Sequence, residues 1–280
     1  MGRPGEGYSV NLAEPLQDAD LERRFGGLRR LYGDAGYARI RAARVAVVGL
    51  GGVGSWAAEA LARSGVAALT LIDLDHVAES NINRQVQAIT PTIGQAKAQA
   101  LRERVAQIHP GCEVHIVEEF ADEDNWPSLL PAPVDAVIDA CDQGRAKVAM
   151  AAWALRTKTG FVTVGAAGGK QLAHAVTLED LAAVTHDPLL AAMRQRLRKQ
   201  HGAPRSGPIG VACVYSRESV ALPAQACAAD EIDSNLNCHG YGSSVAVTAT
   251  FGMVAAGEML RQCVAGELQS PDIMHGSTGC

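Results

Sequence analysis

The chain has 280 residues, 48% of them hydrophobic and 20% charged, enough to bury the core of one large domain or two small ones. A formal net charge of -5 and a pI of about 5.9 exclude a global basic field, while leaving room for a local patch that grips an anion. The seven cysteines, at 112, 141, 213, 227, 238, 263 and 280, are scattered and form no C-x-x-C pair, which points to a reducing, cytoplasmic setting and no structural zinc.

Residues 1–20 contain no apolar run of the signal-peptide kind and are read as a disordered N-terminus. From 21 to 280 the pattern is that of a single domain, with a core at about 44–168 and a C-terminal part at about 169–266. Residues 21–44, "LERRFGGLRRLYGDAGYARIRAAR", carry six arginines up to Arg41 at interrupted helical spacing. They suit an extension lying over a surface, a partner subunit's included, and equally an ordinary solvated helix pair.

Apolar runs then alternate with alanine-rich helical patterns. Strands are expected at 44–49, 68–73, 113–120, 135–141 and 160–168, with helices at 55–65, 94–109 and 145–158 between them. Strands this apolar are covered on both faces, so the expected fold is α/β: a Rossmann-like, doubly wound, mostly parallel sheet. Beyond Gly169 the rhythm breaks into an added strand, loop and helix region, with strands at "HAVTLEDL" and "VACVYS", a charged helix and a Gly/Pro-rich loop between them. Residues 217–240 show no sustained period and read as a mobile loop. The run 243–266 stops being apolar at Glu258, short of a membrane span, and reads as a buried helix, with surface association at a membrane as the alternative.

Gly49, Gly51 and Gly54 form G-x-G-x-x-G directly after a strand and at the start of a helix, where free N–H groups attract phosphate. Asp73 follows at the end of the second strand, placed to accept ribose hydroxyls, and to this point an NAD enzyme fits. The next loop, "DLDHVAESNINRQ", adds Ser80, Asn81, Asn83 and Arg84, and Lys97 opens the following helix. A triphosphate needs such extra cations and a metal-orienting carboxylate. "VIDACDQ" offers Asp139 and, better placed in the loop, Asp142 for Mg²⁺. Singly, Asp75 and Asp139 read as turn caps, Arg84 as a surface ion pair and Lys97 as a solvated helix residue; together, at the ends of successive strands, they read as a site.

"GLGGVGSWAAEAL", "LIDLDHVAESNINRQ", "GQAKA" and "VIDACD" resemble the ubiquitin-activating-enzyme-like adenylating family. The resemblance implies that Gly49, Gly51, Gly52, Gly54, Asp73, Asp75, Ser80, Asn81, Asn83, Arg84, Lys97 and Asp142 touch ATP and Mg²⁺, with an acyl adenylate as product. It also implies a homodimer, in which Arg24 or Arg30 reaches the partner's triphosphate, and it leaves a monovalent cation open. "RRFGGLRRLYG", "DPLLAAMRQRLRK" and "VACVYSRE", with the missing zinc cysteines, are similar to the branch that dehydrates threonylcarbamoyladenosine in tRNA, a ligase-type tRNA modification. From 194 to 205 the chain holds five cations and no acid, so Arg194, Arg196, Arg198, Lys199 and Arg205 are the tRNA-binding candidates, with a solvated helix face as the plain alternative. Competing expectations are adenylation of a ubiquitin-like sulfur carrier, a non-catalytic adaptor for a cysteine-desulfurase system, and, third, an NAD dehydrogenase. Cys227 and Cys238, in the irregular segment, read as incidental thiols, since an intramolecular attack on the adenylate needs no protein thioester.

Overall fold

The computed structural model of the protein describes residues 20–220 and 241–268. β1 (Arg44–Val48), β2 (Ala68–Ile72), β3 (Glu113–Val117), β4 (Ala136–Asp139), β5 (Gly160–Val164), β6 (Val176–Asp180) and β7 (Ala212–Ser216) form one sheet in the order β3-β2-β1-β4-β5-β7-β6. Every pairing is parallel except β6 with β7. The four strands read as most apolar lie in the middle: β2, β4 and β5 are buried at every residue and β1 at all but its first. Half-buried β3 and β6 form the edges. Chain order reverses between β1 and β4, which opens a crevice at their C-terminal ends, the place where an open α/β sheet binds ligands.

Helices cover both faces. On one side lie α3 (Gly54–Arg63), α4 (Lys97–Ile108) and the C-terminal α7 (Val245–Ala265); on the other lie α5 (Gly144–Thr157) and α6 (Pro188–Gln200). The run expected as a buried C-terminal helix is α7, with Val247, Phe251, Ala255 and Met259 fully enclosed. It crosses α3 at Gly252, where a Cβ would stand 2.5 Å from Val53 O, so only glycine allows that approach. No helix among the described residues is long and apolar enough to cross a membrane.

Elements end earlier than the apolar runs suggest, for local reasons. The run at 160–168 leaves the sheet after Val164, because Gly165 packs where a Cβ would lie 2.0 Å from Asp187 Oδ2. The run at 113–120 stops at Val117, ahead of exposed Glu118 and Glu119. The helix expected from 94 begins at Lys97, since Gly94 sits at φ +87° in a turn whose N–H bonds Val77 O.

The arginine-rich extension is a helix pair, α1 (Leu21–Phe25) and α2 (Gly27–Ala42), broken at Gly33 with φ +71°. It packs on its own chain through buried Phe25, Tyr37 and Ile40. Arg39 donates to Val264 O and Arg41 to Gly65 O, fastening α2 to the ends of α7 and α3. Residues 1–19, most of the 217–240 loop and the last twelve residues, with Cys227, Cys238 and Cys280, lie outside the described residues.

Candidate functional site

The glycine motif forms the turn from β1 into α3. Gly49, at φ +86°, closes against the loop after β4: a Cβ there would lie 2.8 Å from both Ala140 O and Cys141 N. A Cβ on Gly54 would lie 1.8 Å from Gly49 O, so the turn admits no side chain at its last glycine. Among the described residues nothing lies within 4 Å of a Cβ built on Gly51, and no side chain caps α3. A helix start bared in this way, ten residues long and aimed out of the sheet, favours negative charge.

Beside this turn stands a carboxylate and ammonium unit. Asp73, 8% exposed, accepts Leu50 N–H at 2.6 Å on one oxygen and Asp75 N–H at 2.9 Å on the other, tying the end of β2 to the glycine turn. Burial pushes its carboxyl above the usual carboxylate range, against the pull of Lys97 and the two amides. The Lys97 ammonium, in the first turn of α4, donates to Asp75 Oδ2 at 2.6 Å and lies 3.9 Å from Asp73 Oδ1.

The segment after β2 is bolted to α3. Trp56 Nε1 donates to Arg84 O at 2.9 Å, Gln87 Nε2 to Leu50 O at 3.0 Å, and Val86 N to Ser55 Oγ at 3.4 Å. These three supports escaped sequence reading; a tryptophan on the first turn of an otherwise small-residue helix was the one available signal. Arg84 Cγ comes within 3.2 Å of a Cβ on Gly52, so the half-buried arginine lies along the glycine turn. Its guanidinium donates to Ser80 O at 2.7 Å and Asn83 Oδ1 at 2.9 Å. Asn83 bonds Ser243 O, and Asn81, buried, accepts Ala78 N–H, so Asn81 acts as a turn cap while Ser80 is exposed.

The two aspartates of "VIDACDQ" separate sharply. Asp139 is completely buried and paired with equally buried Lys147 at 3.0 Å. Asp142 is exposed at the mouth of the β4 loop, directly after the peptide that Gly49 touches. Among the described residues no three His, Cys, Asp or Glu side chains gather to hold a metal unaided. A single free carboxylate beside a phosphate cradle is nonetheless the donor set Mg²⁺ uses when phosphate oxygens and water complete its shell. Burial pushes the thiols of Cys112 and Cys263 up to about 12, and those of Cys141 and Cys213 well up, so the described cysteines carry no ready thiolate.

The remaining candidates lie apart from this crevice. Arg24 donates to Ile108 O at 2.6 Å and Gln107 O at 3.3 Å, capping the end of its own chain's α4. Arg30 is exposed and its side chain makes no hydrogen bond or ion pair among the described residues; its neighbour Leu31 is 70% exposed. In the basic segment, Arg194 is spent on Leu181 O and Val184 O, and Arg198 Nε on Pro204 O. Arg196, Lys199 and Arg205 are exposed. Arg196 Nη1 reaches back to within 3.3 Å of a Cβ on Gly144, at the start of α5 and two residues from Asp142.

The profile described as the ThiF family matches residues 26–273. The chain is 42% identical over 252 residues to the tRNA threonylcarbamoyladenosine dehydratase of Escherichia coli (strain K12), covering 87% of this chain and 94% of that one. Crystal structures of the E. coli tRNA N6-threonylcarbamoyladenosine dehydratase superpose on it at 40% identity. The complex with ATP gives a TM-score of 0.79, covering 89% of this chain and 97% of that one. The complex with AMP gives 0.78, covering 90% and 99%.

Proposed function

The chain belongs to the ThiF family, and on that premise we propose that it is an ATP-dependent tRNA threonylcarbamoyladenosine dehydratase, closing the threonylcarbamoyl side chain of an adenosine into a ring. The observation that carries this reading is the likeness of nearly the whole chain to a dehydratase whose structures hold ATP and AMP. Adenylation of a sulfur carrier, a desulfurase-system adaptor and a dehydrogenase explain that end-to-end likeness less well.

A carboxylate resists attack because its leaving group would be oxide. Here the threonyl carboxylate oxygen attacks the α-phosphorus of ATP and pyrophosphate leaves, giving an acyl adenylate. A nucleophilic atom of the same side chain then attacks the acyl carbon; it loses its proton and AMP departs with the former carboxylate oxygen. The net change in the tRNA is loss of one water. Because that second attack is intramolecular, it has a large entropic advantage and needs no enzyme thiol.

The residues divide this work. The bare start of α3 and the open face of Gly51 receive phosphate oxygens, and Asp73 and Asp75 fix the rim that faces the ribose. Lys97, with three donors, keeps one on Asp75 and offers the others to the triphosphate, and Arg84 adds a second cation from across the glycine turn. Asp142 would hold Mg²⁺, which would supply charge neutralisation at the phosphates. Exposed Arg196, Lys199 and Arg205 bind tRNA phosphates, and a tRNA substrate is consistent with a cytoplasmic reaction. A second copy of the chain meets the exposed start of α2, and Arg30, without a partner among the described residues where Arg24 is engaged, is the arginine available to a partner's nucleotide.

Offering the purified protein ATP with tRNA containing threonylcarbamoyladenosine should release AMP and pyrophosphate. Release that depends instead on a sulfur-carrier protein would overturn the reading.

A further inference from the structure

Behind the β4 loop lies a buried charge that makes no contact with the crevice. Lys147 on α5 is fully buried, and its ammonium donates to Val164 O at 2.9 Å, Asp139 Oδ2 at 3.0 Å and Thr163 Oγ1 at 3.2 Å. Thr163 Oγ1 donates in turn to Asp139 Oδ2 at 2.6 Å. The other oxygen of Asp139 accepts Cys141 N–H at 3.3 Å and Cys141 Sγ–H at 3.1 Å. A pair of this kind is a weak source of stability, because desolvating two charges costs about as much as their attraction returns. Its effect is geometric instead. It joins β4, β5 and α5 at the point where the chain leaves the sheet, and it holds the Ala140–Cys141 peptide. Gly49 closes on that same peptide, and Asp142 is the next residue.

We infer that Asp139 and Lys147 are positioning residues for the nucleotide site. By fixing the Ala140–Cys141 peptide, the pair sets both the closure of the glycine turn and the place of the Asp142 carboxylate relative to the triphosphate. Lys147 turns Asp139 toward Cys141, and Thr163 holds the carboxylate plane. The inference rests on the reading of this crevice as an ATP site with Asp142 as its metal carboxylate.

Two double variants separate positioning from mere stability. Asp139→Asn with Lys147→Met keeps an acceptor for Cys141 N–H and a donor for Thr163; Asp139→Leu with Lys147→Met fills similar volume and removes the tether. The Asn/Met protein, which keeps the Cys141 and Thr163 bonds but loses those of the ammonium, is expected to fall about threefold in kcat and in calorimetric ATP affinity. The Leu/Met protein, with unchanged circular dichroism, is expected to lose about tenfold or more in both, while its KM for tRNA holds. A folded Leu/Met protein that binds and turns over ATP like the parent overturns the inference. Should it fail to fold, Thr163→Val, which removes the 2.6 Å bond to Asp139 and the 3.2 Å bond from Lys147, carries the test. It is expected to speed amide exchange at Cys141 and Asp142 and to weaken ATP binding, and no change in either overturns the inference. Failure of the ATP reading would appear as no ATP binding by the parent protein, whereas failure of this inference leaves the parent binding ATP and the variants matching it.

Discussion

Lys97 Nζ stands 2.6 Å from Asp75 Oδ2 and is itself nearly buried, so the cation nearest the glycine turn is held in place by an acid of the neighbouring strand end. This arrangement pre-orders the ammonium for an incoming phosphate. Lys97→Met is therefore expected to lower ATP-dependent turnover by about 100-fold or more, the usual cost of removing one oriented donor from a developing charge. Asp75 is 54% exposed and rehydrates, so the fold is expected to lose only about 1 kcal/mol. Steady-state AMP release and a urea melt check the two halves; turnover unchanged within about threefold would remove Lys97 from the phosphate site.

Arg24 caps its own α4 and Arg30 is exposed without a partner among the described residues, so the two arginines should behave differently. Arg24→Ala is expected to lower thermal stability and spare turnover. Arg30→Ala is expected to abolish turnover and spare stability. If Arg30 acts on the partner's nucleotide, co-expressing Arg30→Ala with Lys97→Met chains under different tags restores one intact site in each mixed dimer, about a quarter of all sites. Two inactive parents with no recovery in the mixture would place Arg30 in its own chain's site or in none.

The basic segment is not one uniform patch. Exposed Arg196, Lys199 and Arg205 are free to meet phosphate, whereas Arg194 holds the 181–184 turn. Changing each of the three to Ala is expected to weaken tRNA binding and reduce its salt dependence by about one unit of slope apiece, with ATP affinity intact. Arg194→Ala is expected to act mainly on the melting temperature. Filter binding across a salt series decides; parallel salt slopes for all variants would mean that tRNA binds elsewhere.

His109, 1% exposed, packs on Phe25 with ring centroids 4.8 Å apart and meets Arg41 at 3.0 Å, while its Nδ1 has no partner among the described residues. Burial lowers its pKa, and the Arg41 charge lowers it further. A histidine depressed in the folded state contributes stability that is complete above its unfolded pKa and lost as pH falls through the folded one. The melting temperature is thus expected to drop from about pH 6.5 downward, and His109→Gln, starting lower, to drop less over the same range. Equal pH slopes for the two proteins would clear His109 of that role.

Much of this was legible in sequence, because the relevant physics is local. The spacing of Gly49 and Gly54 follows from a turn so tight that a Cβ at the second glycine overlaps a carbonyl of the first. The apolar runs that became β1, β2, β4 and β5 are covered on both faces by helices, as their lack of alternation indicated. Other features depend on neighbours distant in sequence. Two aspartates three residues apart look alike in "VIDACDQ", yet one faces the crevice and the other is buried against Lys147, whose remaining partners come from a third element. Nothing in a run such as "GRAKVAMAAWALRT" says that its lysine points inward, apart from its lone charge on an apolar face. Arg24 and Arg194 read as free cations for the same reason, since the carbonyls that engage them come from other segments.

The central claim is tested most directly by mass spectrometry of nucleosides from tRNA carrying threonylcarbamoyladenosine, after incubation with this protein and ATP. The expected result is an ATP-dependent loss of about 18 mass units from the modified adenosine, one water per AMP formed. An unchanged nucleoside mass, with ATP bound and the protein folded, would contradict it.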